Sequence, residues 1–226
     1  MSIFVTQKCH TKKISIFNNK GGVAKTTSVI NIAYSLHKAE KKVLVVDCDS
    51  QENCYGFLLS DKSDDPMATN YKNISHTKWQ TYCSLSSDEL EKFDFVIFDL
   101  PPVFNSTVSD VIDTSDVIYV PLMLRQFEIS GLKNLTEKCG SKLGGIFVTM
   151  FKKKIDEELY AQFKEILGDR LLDTVVPYSD TVILSQREGL PVEAYFEQRG
   201  VPKIGSAWNV VRAYTALANE IVGGVG

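Results

Sequence analysis

The stretch Lys20-Gly21-Gly22-Val23-Ala24-Lys25-Thr26-Thr27 decides how this chain folds. It lies between a strand-like apolar run at residues 13–17 and a helical pattern that begins near Thr26. Two adjacent glycines let the backbone come close to an anion, and the amide N–H groups that follow point at it together with the positive end of the helix. The sequence therefore predicts that residues 21–27 contact a nucleotide, that Lys25 binds its β- and γ-phosphates, and that the Thr26 hydroxyl binds Mg²⁺.

Two acidic segments follow, each at the end of a strand-like run. The first, at 43–53, reads V-L-V-V-D-C-D-S-Q-E-N and contains Asp47 and Asp49, and the second, at 93–102, reads F-D-F-V-I-F-D-L-P-P and contains Asp99. A phosphate loop needs carboxylates to hold a metal and to orient an attacking water. A solvated turn after a strand is the alternative for the first segment, but the order of both segments after the loop favours a metal and water site.

The loop departs from the ordinary pattern G-x-x-x-x-G-K-[ST], because Asn19 and Ala24 stand at the two glycine positions, and it has a second lysine, Lys20. It resembles the deviant Walker A box of the ParA/MinD superfamily of ATPases, usually K-G-G-x-G-K-[ST]-[ST]. The resemblance implies that Lys20 reaches across a dimer interface to the partner subunit's nucleotide. The Ala24 methyl is tolerable in a right-handed helical conformation and would clash at positive φ. An ordinary Gly-Gly turn before a basic helix start is the alternative.

The two acidic segments resemble the superfamily's switch I pattern, D-x-D-P-Q-x-N, and its Walker B strand, which ends D-x-P-P. The resemblance implies that Asp49 positions and polarises the attacking water, that Asp47 supports Mg²⁺ and the loop network, and that Asp99 holds Mg²⁺ through a water. It also places Asn53 at the end of switch I nearest the dimer interface.

Three segments later in the chain also resemble segments of the ParA/MinD superfamily. The segment at 127–132 is similar to the start of a dimer-face helix, and the segments at 145–150 and 174–177 are similar to those that flank the adenine. Met150 and Pro177 are thus candidates for the adenine wall. A methionine at a strand end is equally often core filler.

Short apolar runs alternate with helical patterns, which predicts an α/β fold: a three-layer, doubly wound, mostly parallel sheet with helices on both faces, of the deviant Walker A P-loop type. Strands are predicted at 14–17, 43–46, 95–98, 117–120, 145–149 and 174–176. Helices are predicted at 26–38, 128–138, 156–167, 181–186 and 207–222. The polar stretch 60–94 reads as a surface excursion with a short helix near 86–92. We expect a single domain over 1–226, with a 1–12 extension too short for a helix-turn-helix module.

The amino-acid composition limits which binding partners, cysteine chemistry and cellular location are compatible with the chain. A formal charge of −3 means that nucleic-acid binding needs a local basic patch. The five cysteines are odd in number and form no C-x-x-C pair, which favours reduced thiols over disulfides, zinc or an iron–sulfur cluster. No segment has the length of a membrane span or a signal-peptide core, so we expect a cytoplasmic protein.

Within the superfamily the chain looks most like the small ParA proteins of plasmid, chromosome and cargo partitioning. That resemblance implies ATP and Mg²⁺, a homodimer with ATP sandwiched between its subunits, nonspecific DNA binding that places the ATP state on the nucleoid, and a ParB-like adaptor or centromere-binding protein. The candidate DNA contacts are Lys152, Lys153, Lys154, Arg187, Arg199, Lys203 and Arg212. The triple lysine could instead be a solvated loop and helix start.

Three alternatives remain at this point. Ala24, Ser50 in place of the usual proline and Glu52 in place of the usual glycine suggest a nucleotide-controlled binding switch with little hydrolysis. A MinD-like membrane-associated positioning ATPase would need a basic amphipathic C-terminal helix, whereas the segment from residue 207 has Arg212 as its one basic residue and reads as a packing helix. A metabolic ligase or amidotransferase of related fold would need a second-substrate motif, which we do not find.

Overall fold

A seven-stranded parallel sheet forms the centre of the computed structural model, which describes residues 10–51, 54, 58, 67–126 and 129–223. The strand order across the sheet is β3-β2-β4-β1-β5-β6-β7, and every pairing of neighbours is parallel. The strands, in chain order, are β1 Lys12–Ile16, β2 Val43–Asp47, β3 Ile74–Lys78, β4 Phe95–Asp99, β5 Val117–Leu122, β6 Leu143–Phe151 and β7 Leu171–Pro177.

Helices cover both faces of this sheet. In chain order they are α1 Lys25–Lys38, α2 Trp79–Tyr82, α3 Ser87–Leu90, α4 Ser106–Thr114, α5 Ile129–Cys139, α6 Lys153–Leu167, α7 Asp180–Arg187, α8 Val192–Gln198 and α9 Asn209–Gly223. Buried side chains of α1, α8 and α9 pack on one face, and those of α4, α5 and α6 pack on the other. The α/β architecture predicted from the alternating runs is confirmed.

The strands at the centre of the sheet are buried along their whole length, as expected for a parallel sheet covered on both faces. All five residues of β2 and all five of β4 are buried. The register pairs Asp47 with Asp99 and pairs Ile16 with Asp99, so the last residues of β1, β2 and β4 lie side by side. The side chains that follow these three strands therefore meet at one edge.

The prediction of a surface excursion at 60–94 was wrong in part. Strand β3 lies within it and forms an edge of the sheet, with His76 and Thr77 buried. Its sequence, I-S-H-T-K, lacks the apolar run of the inner strands, and of its three buried residues only Ile74 is apolar. The predicted short helix is present as α3, where Ser86 and Glu89 form a capping box. Residues 60–66 of the excursion lie outside the described residues.

The C-terminal helix α9 packs as the sequence predicts. Six of its apolar side chains are buried, among them Tyr214, Leu217 and Ile221. The phenol of Tyr119 on β5 donates a hydrogen bond of 3.1 Å to the Ile221 carbonyl. The apolar face of this helix is thus part of the core. Across the described residues, no helix combines the length and apolar character needed to cross a membrane.

Candidate nucleotide-binding site

A cleft of about 1010 Å³ opens at the carboxyl ends of β1, β2 and β4. This is where ligands bind in open α/β sheets, because the loops that leave the strands diverge there. Its walls come from the loop before α1, the loop after β2, the start of α2 and the loop after β4. The lining residues include Gly21, Gly22, Ala24, Lys25, Thr26, Thr27, Asp47, Asp49, Trp79, Pro101 and Gln186. The structure therefore brings loop residues from Gly21 onward, Asp47 and Asp49 into one cavity, and Asp99 lies buried beside it, hydrogen-bonded to Thr26.

The loop at 18–24 is held in shape by buried side chains on either side of it. The Nδ2 of Asn18 donates to the Pro121 carbonyl at 2.7 Å, and its Oδ1 accepts the Lys20 amide at 2.9 Å. The Thr149 hydroxyl donates to the carbonyl of Val23 at 3.2 Å. Asn18 was not predicted as a site residue. The sequence signal that could have identified it is a polar residue directly after an apolar strand.

Ala24 adopts the conformation that is unfavourable for a residue with a side chain. Its φ is 64° and its ψ is 34°, in the left-handed region, and it lies immediately before the first residue of α1. A residue with a Cβ is disfavoured there by roughly 1–2 kcal/mol. The Ala24 carbonyl still accepts the first helical hydrogen bond, from the Ser28 amide at 2.9 Å. The loop therefore has the backbone shape needed to start α1, but with a conformational strain energy that a glycine at position 24 would avoid.

We expect Ala24→Gly to raise the free energy of unfolding by up to about 1 kcal/mol, because relief of left-handed strain exceeds the extra backbone entropy of glycine. Urea unfolding of the nucleotide-free protein measures this change. Ala161→Gly, at an exposed position inside α6, is the matched control and should lower the same quantity by about 1 kcal/mol. Equal losses in the two variants would contradict a left-handed Ala24.

Lys25 is buried within the loop, with 8% of its surface exposed. Its Nζ donates to the Lys20 carbonyl at 3.0 Å. Burial lowers the pKa of the Lys25 ammonium, while the carboxylates of Asp99 and Asp49 act to raise it. The ammonium thus lies between the loop and two acidic side chains, and a phosphate oxygen entering the cleft would replace the carbonyl as its acceptor.

Asp99 has a carboxylate oxygen without a protein partner. The side chain is buried, and its Oδ2 accepts hydrogen bonds from the Thr26 hydroxyl at 2.6 Å and from the Cys54 thiol at 3.2 Å. Its Oδ1 is buried and has no hydrogen-bond partner within the described part of the chain. Burial, with a smaller contribution from Asp47, raises the pKa of Asp99 to about 7. A buried unsatisfied carboxylate oxygen beside a hydroxyl fits a hydrated cation.

Asp99→Asn should stabilise the nucleotide-free protein while removing a metal site. Because the folded-state pKa of Asp99 lies near 7 and its ordinary value is 3.8, the folded protein holds a proton that the unfolded chain loses between these pH values. Stability therefore falls as pH rises through this window, and the neutral amide avoids the loss. We expect a gain of roughly 2–4 kcal/mol at pH 8 and almost none near pH 4, measured by urea unfolding with a chelator present.

The surface variant Asp110→Asn is the control for the loss of one carboxylate, because Asp110 is exposed on α4. It should change stability by less than about 0.5 kcal/mol at either pH. A gain for Asp99→Asn that did not depend on pH would show that Asp99 is ionised throughout and would contradict the prediction.

Asp47 and Asp49 organise the loop after β2. Asp47 accepts the backbone amide of Asp49 at 3.0 Å through Oδ1 and that of Cys54 at 3.1 Å through Oδ2. Asp49 accepts the Gln51 amide at 3.0 Å and lines the cleft. Asp47 therefore fixes the position of the loop that carries Asp49. Asn53, predicted at the end of this loop, lies outside the described residues, as does Glu52.

The acidic side chains alone do not form a metal cage. No group of three or more His, Cys, Asp and Glu in the described ranges could hold a metal ion. Mg²⁺ ordinarily keeps several waters and binds through one or two carboxylates together with substrate phosphates. The Thr26 hydroxyl and the unpartnered oxygen of Asp99 fit that mode, which needs the nucleotide to complete it.

A second, narrow pocket of about 90 Å³ adjoins the cleft and shares Ala24, Thr27 and Gln186 with it. Met150 and Pro177 both line this pocket, so the structure brings the two predicted adenine-wall residues together. The Nε2 of Gln186 donates to the Thr27 hydroxyl at 2.6 Å and connects α7 to α1. Sequence reasoning missed Gln186, because nothing in the local pattern of α7 marks it.

The predicted DNA-contacting lysines lie where α6 begins. The Lys152 ammonium is 3.9 Å from the centroid of the Tyr178 ring. The side chain of Lys153 is 79% exposed and forms a 4.0 Å ion pair with Glu157, and Lys154 is exposed. A pair at this distance between exposed side chains is weak. The start of α6 thus presents positive charge to solvent.

The other four predicted contacts differ among themselves. Arg187 is exposed at the end of α7. Arg199 pairs with Glu188, and Lys203 pairs with two glutamates of α8 at 3.3 and 3.4 Å. Arg212 donates to two backbone carbonyls of the loop that precedes α9. Arg199, Lys203 and Arg212 therefore have internal partners that compete with any outside phosphate.

Comparison with known proteins agrees with this geometry. Residues 14–192 match the profile of the CobQ/CobB/MinD/ParA nucleotide binding domain. The chain is 25% identical to the chromosome-partitioning ATPase Soj of Treponema pallidum, over 93% of this chain and 97% of that one. It is 24% identical to the chromosome partitioning protein ParA of Caulobacter vibrioides, over 92% and 93% of the two chains.

Two solved structures share the fold. A putative plasmid partition protein from Borrelia burgdorferi bound to AMPPNP superposes with a TM-score of 0.63 at 20% identity, over 95% of this chain and 98% of that one. The Pyrococcus furiosus cell division ATPase MinD superposes with a TM-score of 0.70 at 20% identity, over 94% and 98%. These likenesses show the architecture of the sheet and helices.

Proposed function

The chain belongs to the CobQ/CobB/MinD/ParA family of nucleotide-binding domains, and from that premise we propose that it is a partition-type ATPase. In this proposal the protein binds ATP with Mg²⁺, pairs with a second copy across the nucleotide, and binds DNA nonspecifically while paired. A cargo-bound adaptor of the ParB kind then stimulates hydrolysis and separates the pair. The cargo is DNA or another large assembly.

The observation that carries the proposal is the Thr26 hydroxyl, which lines the cleft and donates to the buried carboxylate of Asp99, whose other oxygen has no partner among the described residues. A buried carboxylate that lacks a partner is costly unless a ligand satisfies it. The Lys25 ammonium and the free amides at the start of α1 supply positive charge nearby. This combination suits a triphosphate with a hydrated divalent cation.

Different residues of the chain would bind the phosphates, hold Mg²⁺ and orient the attacking water. The amides of the loop and Lys25 bind the phosphate oxygens, while Thr26 and Asp99 hold Mg²⁺, with Asp47 supporting the loop. When bound, Mg²⁺ neutralises charge on the transferred phosphoryl group. Asp49 orients the attacking water from the loop after β2, where its position is set by the hydrogen bond from its amide to Asp47.

Pairing across the nucleotide is supported by the position of Lys20. Its backbone carbonyl accepts Lys25 Nζ at 3.0 Å, which places Lys20 beside the lysine that lines the cleft. The cleft, at about 1010 Å³, lies at the upper end of the size range for small-molecule sites and leaves space for a side chain from outside.

For DNA, the exposed residues Lys153, Lys154 and Arg187 are the strongest candidates. The pair of Lys153 with Glu157 is long and exposed, whereas the other predicted basic residues have closer internal partners or lie against an aromatic ring. A paired protein would present two copies of this surface. Binding through phosphates alone should weaken steeply as salt rises.

One observation favours a second candidate function. The left-handed strain at Ala24 raises the energy of the loop that must hold the triphosphate. A nucleotide-controlled binding switch that hydrolyses little would tolerate such a loop better than a fast ATPase would. Turnover stimulated by an adaptor separates the two functions.

Analytical sedimentation tests the proposal directly. ATP with Mg²⁺ should double the sedimenting mass, and arbitrary-sequence duplex DNA should sediment with the protein in the presence of ATP but not ADP. Raising the salt concentration should release the DNA and leave the dimer. A monomer at saturating ATP, or DNA binding that ignores the nucleotide, would overturn the proposal.

A further inference from the structure

A separate cavity, of about 380 Å³, lies at the opposite end of the sheet from the nucleotide cleft and its adjoining pocket. Its lining comes from residues that precede β2 and β4, from the start of β3, and from α3 and its flanks. The lining residues are Lys42, Met67, Lys72, Asn73, Ser75, Leu85, Glu89, Lys92 and Phe93. The length of β2, roughly 13 Å at about 3.3 Å per residue, separates this end of the sheet from Asp47.

Three lysines line this cavity, which we call the lysine pocket. Lys42, Lys72 and Lys92 are exposed, and their ammonium groups have no hydrogen bond or ion pair within the part of the chain that the structure describes. The acidic residue of the lining, Glu89, already uses its Oε2 to accept the amide and hydroxyl of Ser86, at 2.8 and 2.9 Å. Glu89 keeps its negative charge and interacts with Lys92, but one glutamate against three lysines leaves the lining with an excess of positive charge.

The lysine pocket also has an apolar surface. Met67, Leu85 and Phe93 line it, and each is half-buried and packed against the core on the α4, α5 and α6 side of the sheet. Because the core holds these side chains in place, their apolar surface is formed before any ligand arrives. On the other side, Asn73 Nδ2 donates to Glu40 at 3.1 Å, and Lys42 is anchored by its amide, which donates to Asp94 at 2.8 Å.

We propose that the lysine pocket binds a small organic dianion that carries an apolar ring, with an aryl phosphate as the simplest example. Lysine binds phosphate as a point charge, and an anion in the lysine pocket would meet three lysines that line the same cavity. The apolar lining supplies affinity for the ring. The volume lies within the range of small-molecule sites. This site is separate from the ATP site in place and in the chemistry of its lining.

Isothermal titration of phenyl phosphate into protein saturated with ADP and Mg²⁺ tests the proposal, because the phosphate loop is then filled. Phenyl phosphate should bind one site per chain at least tenfold more tightly than either inorganic phosphate or phenol. The variant Lys42→Gln/Lys72→Gln/Lys92→Gln should lose at least thirtyfold in affinity. Leu85→Asn should remove the preference for phenyl phosphate over inorganic phosphate.

The charge-matched control is Lys41→Gln/Lys133→Gln/Lys138→Gln, whose exposed lysines lie outside the lysine pocket. It should keep its affinity for phenyl phosphate within about twofold, and both triple variants should unfold in urea as the parent does. Absence of phenyl phosphate binding in the parent would overturn the proposal. So would an equal loss of binding in the two triple variants, or competition between ADP and phenyl phosphate.

Discussion

Lys20→Ala is expected to abolish ATP-dependent dimerisation and to lower ATP turnover by at least about a hundredfold. The physical reason is charge: a triphosphate shared by two subunits brings their surfaces together only if each side supplies cations. Two opposite charges 4 Å apart at a partly exposed site attract each other by about 4 kcal/mol, and a cation supplied in trans to a phosphoryl transfer is worth 10³–10⁵ in rate by analogy with arginine fingers. The loss should therefore appear in both the dimer and the rate.

Sedimentation at saturating ATP and phosphate release measure these two losses. Nucleotide binding to the monomer should persist in Lys20→Ala, because Lys25 and the loop amides remain, and a fluorescent ATP analogue reports it. Asn19→Ala is the matched control, since Asn19 is exposed beside Lys20 and is assigned no role. A Lys20→Ala protein that dimerised on ATP and hydrolysed it at the parent rate would refute the shared-nucleotide arrangement.

The inner strands could be predicted from sequence because burial on both faces selects continuous apolar runs. Val43–Asp47 and Phe95–Asp99 are such strands, and the aspartate that ends each could be assigned to the cleft because parallel strands end at one edge of the sheet. Strand β3 escaped prediction because its sequence has no apolar run: two of its three buried residues, His76 and Thr77, are polar. Helices α4 and α8 escaped because each is short and stabilised by packing, with buried residues such as Val108 and Phe196.

The residues of the candidate site also fall into those that could be predicted from sequence and those that could not. Residues adjacent in the chain, such as Lys25 and Thr26, could be assigned from their order, because the phosphate-binding geometry is local. Asn18, Gln186 and Cys54 could not be assigned. Their partners, Pro121, Thr27 and Asp99, lie far from them in sequence, and only the folded sheet brings each pair together.

The backbone conformation of Ala24 shows a different limit of prediction from sequence. Two outcomes are compatible with the sequence, right-handed with no penalty or left-handed with strain, but the backbone angle depends on how the loop meets α1. The Ala24 carbonyl must point along the helix to accept the Ser28 amide, while Val23 is held by Thr149 from β6. Tertiary contacts on both sides thus impose the angle that local preference disfavours.

Asp49→Ala is expected to lower adaptor-stimulated ATP hydrolysis by about 10²–10⁴, the range for a positioned acid–base group. ATP binding and dimerisation should survive. Asp49 approaches the cleft from the loop after β2, and the Asp47 carboxylate holds that loop through the amides of Asp49 and Cys54. Since these two bonds do not involve the Asp49 side chain, the substitution should remove the water-orienting group and leave the loop in place.

Stimulated phosphate release, with sedimentation in ATP as a parallel readout, distinguishes a lost chemical step from a lost dimer. Ser50→Ala is the control, because Ser50 lines the same cleft one residue along and is assigned no catalytic role. An ATP-locked dimer with little turnover in Asp49→Ala, beside normal turnover in Ser50→Ala, would identify Asp49 as the residue that orients the water. If the parent protein itself showed no stimulated turnover, the nucleotide-controlled switch would be the correct function, and Asp49→Ala would change nothing measurable.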